Sequence, residues 1–331
     1  MKRITLLQRT GAAAATAAFG NFPAVVRAEA KKLLIAEPFH NIQYLPLYVA
    51  INQKFFNGLD VESMTLRAGS ASTDAVLTGR AWAFIGGPEH NAFADTKGAN
   101  LRAIVNVVNR ASIYFVPRKG LTPGSDLKAF FMGKTIATSP YGGSPNSIAR
   151  YLIGKMGLDI KKDVNFLELD NSAVPVVMQQ GKADIADVAE PILSRGIAAG
   201  AWQEPFLNGP KALGAYANST INLPLTTITD DPATTRSFVE GMLKGLAFVR
   251  DRRDATMTIA AKEFPDLPSA LLQSAVKRSY DDAIWEYSGM ITPASIKTME
   301  TIVKIGGLLK TDVPYDQIVD MRFVSRKTGE R

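Results

Sequence analysis

The sequence predicts an α/β fold with two lobes, each a mostly parallel sheet flanked by helices, and a helical C-terminal segment. Three observations predict this architecture. Short apolar runs alternate with amphipathic stretches up to about residue 200, as in chains of βα units. The same pattern starts again after Pro123, which indicates a second lobe. From Pro232 onward the pattern is almost entirely helical.

The first lobe begins with a buried strand, because residues 31–37 hold the apolar run Leu33 to Ala36. Glycines at 58, 79 and 98 then follow stretches of helical spacing, as they do at helix ends. These signals predict helices over 45–56, 70–78 and 91–96, and strands over 61–66, 82–85, 101–108 and 113–116.

The second lobe repeats this order. Strands are predicted over 134–138, 164–169 and 185–188, and helices over 145–156 and 173–180. One segment matches in detail: Gly79, a basic residue, a strand, Pro88 and Gly98 correspond to the same series from Gly181 to Gly200.

The C-terminal segment is predicted as helices over 232–250, 268–280 and 293–305, the last with Thr292 as N-cap and Pro293 as its first residue. We expect this helical segment to return to the first lobe and pack on it. The predicted lobes are therefore 31–117 plus 225–331 and 118–224, connected near 115–120 and 222–230.

Nearly half of the net charge of +7 lies at the N-terminus. Lys2, Arg3, Arg9 and Arg27 against Glu29 give residues 1–30 a charge of +3, which leaves +4 for the other residues. A basic start, an uncharged run over 10–26 and small residues at 28 and 30 predict a cleaved signal peptide. Its Arg9 region resembles a twin-arginine leader with Gln8 at the first arginine position.

Several kinds of chemistry are excluded or disfavoured by composition. With no Cys and two His, the chain holds no disulfide, thiolate metal site or His-rich metal site. Catalytic and nucleotide-binding motifs are missing, so we expect no catalytic residue, no metal and no cofactor. Asp184 and Asp187 are expected at solvated strand ends, on opposite faces. The basic residues are scattered, which disfavours a nucleic-acid partner.

Binding of a small molecule fits the loops better. Tyr141, Gly142, Gly143 and Ser144 lie between a strand and a helix, with Ser144 expected as N-cap before Pro145. Two glycines let a ligand approach the backbone, and free N–H groups at the helix start favour an anion. A Ser144 that only caps its own helix is the alternative.

Loops after other predicted strands carry polar and aromatic groups. His40, Asn41, Gln43 and Tyr44 follow the first strand, where ligands of parallel sheets bind, although Tyr44 could equally pack in the core. The turn of Gly69, Ser70 and Ala71 opens a helix in the same way. Glu89 and Glu190 follow the matching strands of the two lobes, where Glu190 could bind a ligand or complement a helix dipole.

The chain resembles the periplasmic solute-binding proteins of ABC importers for sulfonates, taurine, nitrate and thiamine pyrimidine precursors. The resemblance rests on the order and spacing of five segments: 58–62, 69–79, 151–158, 180–184 and 189–191.

The resemblance implies a type II periplasmic-binding fold that closes over one anionic or heteroaromatic ligand and docks on an inner-membrane permease. It also implies a monomeric, non-enzymatic protein in the periplasm, and it adds Gly87 to the ligand loops. Iron-dependent relatives that make pyrimidines are Cys-rich, unlike this chain. A sensor subunit or an enzyme of this fold are the alternatives.

Overall fold

The structure, a computed structural model, describes residues 30–66 and 69–324. Apart from Ala30, the predicted signal peptide lies outside the described residues. None of the helices in the described part of the chain is long and apolar enough to cross a membrane.

Ten strands are found in the described residues. They are β1 (Lys31–Glu37), β2 (Leu59–Thr65), β3 (Ala83–Gly86), β4 (Leu101–Val108), β5 (Tyr114–Pro117), β6 (Thr135–Thr138), β7 (Asn165–Glu168), β8 (Ile185–Val188), β9 (Leu207–Asn208) and β10 (Ser219–Pro224). The first sheet has the order β2-β1-β3-β10-β4, and the second has the order β7-β6-β8-β5-β9.

Each sheet is mostly parallel, as predicted, and each also contains one antiparallel strand. In the first, β1 pairs in parallel with β2 and β3, and β10 runs antiparallel between β3 and β4. In the second, β6 pairs in parallel with β7 and β8, and β5 runs antiparallel to β8 and β9. Each sheet thus takes one strand from beyond the predicted boundaries at 117 and 224, since β5 lies in the second sheet and β10 in the first.

The helices of the described residues occupy the positions between these strands and the C-terminal segment. They are α1 (Leu45–Asn52), α2 (Gly69–Leu77), α3 (Glu89–Asp95), α4 (Leu127–Phe131), α5 (Ser144–Lys155), α6 (Val174–Gln179), α7 (Ile192–Ala198), α8 (Gly209–Leu213), α9 (Leu225–Asp230), α10 (Pro232–Asp251), α11 (Arg253–Glu263), α12 (Ser269–Asp281), α13 (Pro293–Ile305) and α14 (Tyr315–Ile318), with short 3-10 turns at Ile42–Tyr44 and Asn171–Ala173.

Local capping agrees with the sequence pattern at several helix ends. Thr292 caps α13 by accepting a hydrogen bond from the Ser295 N–H at 3.1 Å, and Pro293 is the first helical residue. The glycines that close the two matching segments, at 79, 98, 181 and 200, all have φ between 66° and 82°. Glycine is required there because other residues rarely adopt this backbone conformation.

The C-terminal helices are divided between the lobes, which corrects the expected placement over the first lobe alone. Phe238 of α10 and Leu272 of α12 do pack in the core of the first sheet. Ile296 and Met299 of α13 instead pack with Ile148 of α5, next to the second sheet. An apolar face finds its partner through tertiary contact, so helical periodicity alone does not say which lobe it covers.

Helix α10 packs closely on α1 in the first lobe. At Gly245, an added Cβ would lie 2.4 Å from the carbonyl oxygen of Pro46 and 2.9 Å from the Cβ of Ala50. The two helices can therefore approach this closely only because position 245 has no side chain.

Candidate functional site

The predicted ligand loops all follow strands that run in parallel within their own sheet. His40 to Tyr44 follow β1, Gly69 follows β2 and Glu89 follows β3 in the first lobe. Ser144 follows β6 and Glu190 follows β8 in the second lobe. Because the carboxyl ends of parallel strands share an edge of the sheet, each set of loops lies at one edge, where ligands of α/β proteins bind.

Glu89 and Ser144 meet across the two lobes. The carboxylate of Glu89, at the start of α3, accepts a hydrogen bond through Oε1 from the Ser144 hydroxyl, at the start of α5. Glu89 is 1% exposed, and its Oε2 has no hydrogen-bond partner among the described residues. At Gly87 an added Cβ would lie 2.0 Å from this Oε2, so position 87 must lack a side chain for Glu89 to keep its place.

Two buried phenols lie close to the same carboxylate. Tyr216 is fully buried, and its Oη has no hydrogen-bond partner among the described residues. Burial, with a contribution from the Glu89 charge, holds the pKa of Tyr216 well above its usual range, and the nearby Ser144 side chain acts in the opposite direction. Burial also raises the pKa of Tyr44, where Glu37 and Glu89 both contribute.

Tyr216 is a site residue that the sequence did not reveal. It lies between β9 and β10, where the chain passes from the second sheet back to the first. No motif or periodicity marks this position. Had β10 been predicted as a strand of the first sheet, Tyr216 would have been placed on the segment that connects the two sheets.

The anion site predicted at the start of α5 is not formed as expected. Gly143, not Ser144, occupies the N-cap position, and Ser144 directs its hydroxyl to Glu89 instead. The N–H groups predicted to be free donate within the protein, from Asn146 to Ser139 Oγ at 3.3 Å and from Ser147 to the Gly143 carbonyl at 3.1 Å.

The other residues of this turn are held by neighbouring elements. The backbone N–H of Tyr141 donates to Glu168 Oε2 at 3.2 Å, and its hydroxyl donates to the Gly306 carbonyl after α13 at 2.6 Å. Gly142 has a φ of +94°, which favours glycine. The turn is thus fixed from both β7 and α13, with half of the Tyr141 side chain exposed.

His40 lies between two carboxylates in the first lobe. Its Nδ1 is 3.1 Å from Glu37 Oε1, and its Nε2 is 3.1 Å from the carbonyl oxygen of Glu263 and 3.6 Å from Oε2 of that residue. Burial opposes charging of the imidazole, but the hydrogen bonds and charges of Glu37 and Glu263 together raise the pKa of His40. The ring stacks on Tyr48, with centroids 4.4 Å apart.

Asn41 and Gln43 are buried and serve the protein's own hydrogen bonds. Asn41 Oδ1 accepts from the Gln43 N–H at 2.9 Å and so caps the turn Ile42–Tyr44. Gln43 Oε1 accepts from Ser112 Oγ at 2.8 Å and from Asn218 Nδ2 at 3.1 Å. Ser112 and Asn218 belong to the two crossings between the sheets, so Gln43 joins both crossings to the first lobe.

Glu190 is already paired in this structure. Its carboxylate accepts from the Ser194 N–H at 3.1 Å, as a residue at the start of α7 can, and from Arg278 Nε of α12 at 3.1 Å. Arg278 also donates to Glu204 at 3.0 Å. Burial raises the pKa of Glu190, although Ser194 and Arg278 oppose the shift. The described hydrogen bonds do not connect Glu190 to Glu89.

The turn at Gly69, Ser70 and Ala71 starts α2 and lies beside the Glu89 region. An added Cβ at Gly69 would lie 2.3 Å from Nε2 of His90, the residue after Glu89. Burial lowers the pKa of His90. Ser70 is exposed and Ala71 is half-buried.

Asp187 differs from its predicted position at a solvated strand end. It is 1% exposed, and its Oδ2 accepts from Thr138 Oγ1 of β6 at 2.7 Å. Its Oδ1 has no hydrogen-bond partner among the described residues. Burial raises the pKa of Asp187 to about 7. Among the described residues, no group of three or more His, Cys, Asp and Glu side chains could hold a metal ion.

Known proteins of similar sequence include a family and a binding protein. A family model described as NMT1/THI5 like matches residues 41–255, more than half of the chain. YtlA of Bacillus subtilis (strain 168), provisionally described as a binding protein, is 23% identical over 308 residues, which cover 91% of each chain.

Two solved structures share the fold. The periplasmic aliphatic sulphonate binding protein SsuA from Escherichia coli has a TM-score of 0.70 at 16% identity and covers 92% of this chain and 95% of its own. The desulfurization enzyme DSZB has a TM-score of 0.65 at 14% identity and covers 89% of this chain and 98% of its own. The two-lobed fold and the resemblance predicted from the sequence are confirmed.

Proposed function

Because the chain belongs to the NMT1/THI5-like family, we propose that it captures a small organic ligand between its two lobes and delivers it to an ABC permease. The fold shared with a periplasmic sulphonate binding protein supports this role. The same proposal places the protein in the periplasm as a monomer without enzymatic activity and without a nucleic-acid partner.

The contact between Glu89 and Ser144 carries the proposal. It joins loops that follow β3 in one sheet and β6 in the other, and both loops lie at carboxyl ends of parallel strands. Beside it are two buried polar atoms without partners among the described residues, Glu89 Oε2 and Tyr216 Oη. Buried groups of this kind are costly unless a partner satisfies them, and a ligand that bridges the lobes would do so.

Closure around a ligand is the mechanism we assign to this arrangement. The lobes are joined by crossings near Ser112 and Asn218, which Gln43 links to the first lobe. Rotation about these crossings would separate Glu89 from Ser144 and expose the crevice. A ligand that contacts both loops stabilises the closed form by its differential affinity for that form.

The proposal is tested by small-angle scattering and calorimetry with compounds that raise the thermal unfolding temperature. We expect binding of one ligand per chain, a smaller radius of gyration in its presence and no product. Product formation would favour the alternative of an enzyme, and co-purification with a receptor kinase would favour a sensor subunit.

A Gly87→Ala variant tests whether the position of Glu89 matters for ligand binding. A Cβ at position 87 would displace the Glu89 carboxylate, so we expect it to abolish ligand binding. Gly124→Ala is the matched variant, because an added Cβ there meets no atom within 4 Å. Equal ligand affinity of the two variants would show that Glu89 is not part of the binding site.

A further inference from the structure

The Glu89 carboxylate, at the contact between the two lobes, points to the chemical class of the ligand. We propose that Glu89 binds a cationic nitrogen group of the ligand, an ammonium, amidinium or guanidinium, and thereby selects against sulfonate and nitrate anions. This inference rests on the proposed function, because it specifies the ligand of the same crevice.

The hydrogen-bonding state of Glu89 is the first reason. A carboxylate accepts several hydrogen bonds and donates none when ionised. Here Oε1 accepts from Ser144 alone, and Oε2 is buried without a donor among the described residues. The group that completes this site must therefore donate, and a charged N–H donor forms the stronger hydrogen bond.

The charges around Glu89 are the second reason. None of the salt bridges among the described residues includes Glu89. Its neighbour His90 is half-buried, and desolvation lowers the pKa of that imidazole, which favours the neutral form. Glu37 and Glu89 both act on the buried Tyr44, and Glu37 is itself paired with His40, which leaves Glu89 as the unpaired carboxylate. An anion in this desolvated region would be repelled, whereas a cation would be attracted.

Ser144 shows how the ligand would bind. Its hydroxyl is the one donor that the second lobe presents to Glu89 among the described hydrogen bonds. A ligand ammonium or amidinium would replace or extend this donor and reach Oε2, which Ser144 leaves unpaired. Tyr216 Oη lies beside Ser144 and can accept a further N–H of the same group.

The first experiment denatures the purified protein and identifies the small molecule that is released. The second compares the affinities of cationic and anionic probes of matched shape. The probes are benzamidinium against benzenesulfonate and propylammonium against propanesulfonate, with affinity measured by calorimetry. We expect a released molecule with a cationic nitrogen, or tighter binding of the cationic member of each pair. Glu89→Gln should weaken binding of the cation by about 10-fold or more, as loss of a charged hydrogen bond does.

Glu62→Gln is the control, because Glu62 is a half-exposed carboxylate on β2 that pairs with Lys32. It should leave the affinity unchanged. Tyr216→Phe is a second variant in case Glu89→Gln fails to fold, and it should also weaken binding of the cation.

The outcomes separate this inference from the proposed function. A released anion, or preference for the sulfonate probes, would overturn the ligand class and leave solute binding intact. If no molecule is released and no probe binds, the proposed function fails together with the inference.

Discussion

Asp187 is expected to make the stability of the protein fall as the pH rises. Burial raises its pKa from 3.8 to about 7. At pH values between these two, the folded protein therefore retains a proton that the unfolded chain has lost. In that window the folding equilibrium constant falls by up to a factor of ten per pH unit, and stability is lost as the pH rises through the folded pKa. Over the full window the loss amounts to about 4 kcal/mol.

The Asp187→Asn variant removes this proton and tests the reasoning. Its amide nitrogen would lie buried without a partner, at a cost of about 1–3 kcal/mol at every pH. We therefore expect the variant to gain about 3 kcal/mol of stability relative to the wild type between pH 5 and pH 8. Urea unfolding at the two pH values measures both differences.

Thr138→Val serves as the control for this prediction. The hydrogen bond that Thr138 donates to Asp187 lowers the pKa of that carboxyl. The variant removes this hydrogen bond and so raises the pKa further. The loss of stability should therefore extend to higher pH than in the wild type. If the stability difference between Asp187→Asn and the wild type is the same at pH 5 and pH 8, the burial argument is wrong.

The remaining predictions concern contacts between and within the lobes. Arg278→Met should lower the free energy of unfolding by about 1.5–3 kcal/mol, because Glu190 would stay buried without its cation. Arg250→Met, which breaks an exposed and solvent-screened pair, should leave the stability nearly unchanged, and equal losses of the two variants in urea unfolding would contradict the interlobe argument. Gly245→Ala should cost about 1–3 kcal/mol through its clash with α1. Gly154→Ala, with its nearest neighbour 3.8 Å from the added Cβ, should be neutral or stabilising, and the same thermal shift in both variants would refute the packing argument.

Much of the fold was predictable from local sequence. The strands β1, β4, β6 and β8 and the helices α5, α10, α12 and α13 lie close to their predicted positions, because periodicity, capping residues and glycines are local signals. β10 was missed because its six residues, STINLP, mix polar and apolar side chains without a clear period. It is nevertheless buried between β3 and β4, so its neighbours decide its conformation.

The candidate site was predictable in its loops more than in its contacts. Glu89 and Ser144 were both predicted as ligand residues, yet their hydrogen bond joins positions 55 residues apart. Glu190 was predicted from the matching strand ends, but its pairing with Arg278 spans 88 residues. Contacts at such separations depend on how the lobes pack, and residue spacing does not encode that packing.

The sequence by itself determined the alternation of strands and helices, the two-lobed repeat and the loops at which polar residues gather. These features follow from side-chain periodicity and backbone preference over a few residues. Only the tertiary structure decided that α13 packs against the second lobe, that Asp187 is buried and that Ser144 meets Glu89. Each of these depends on the surfaces that distant segments present to one another, because burial and pairing belong to the packed protein.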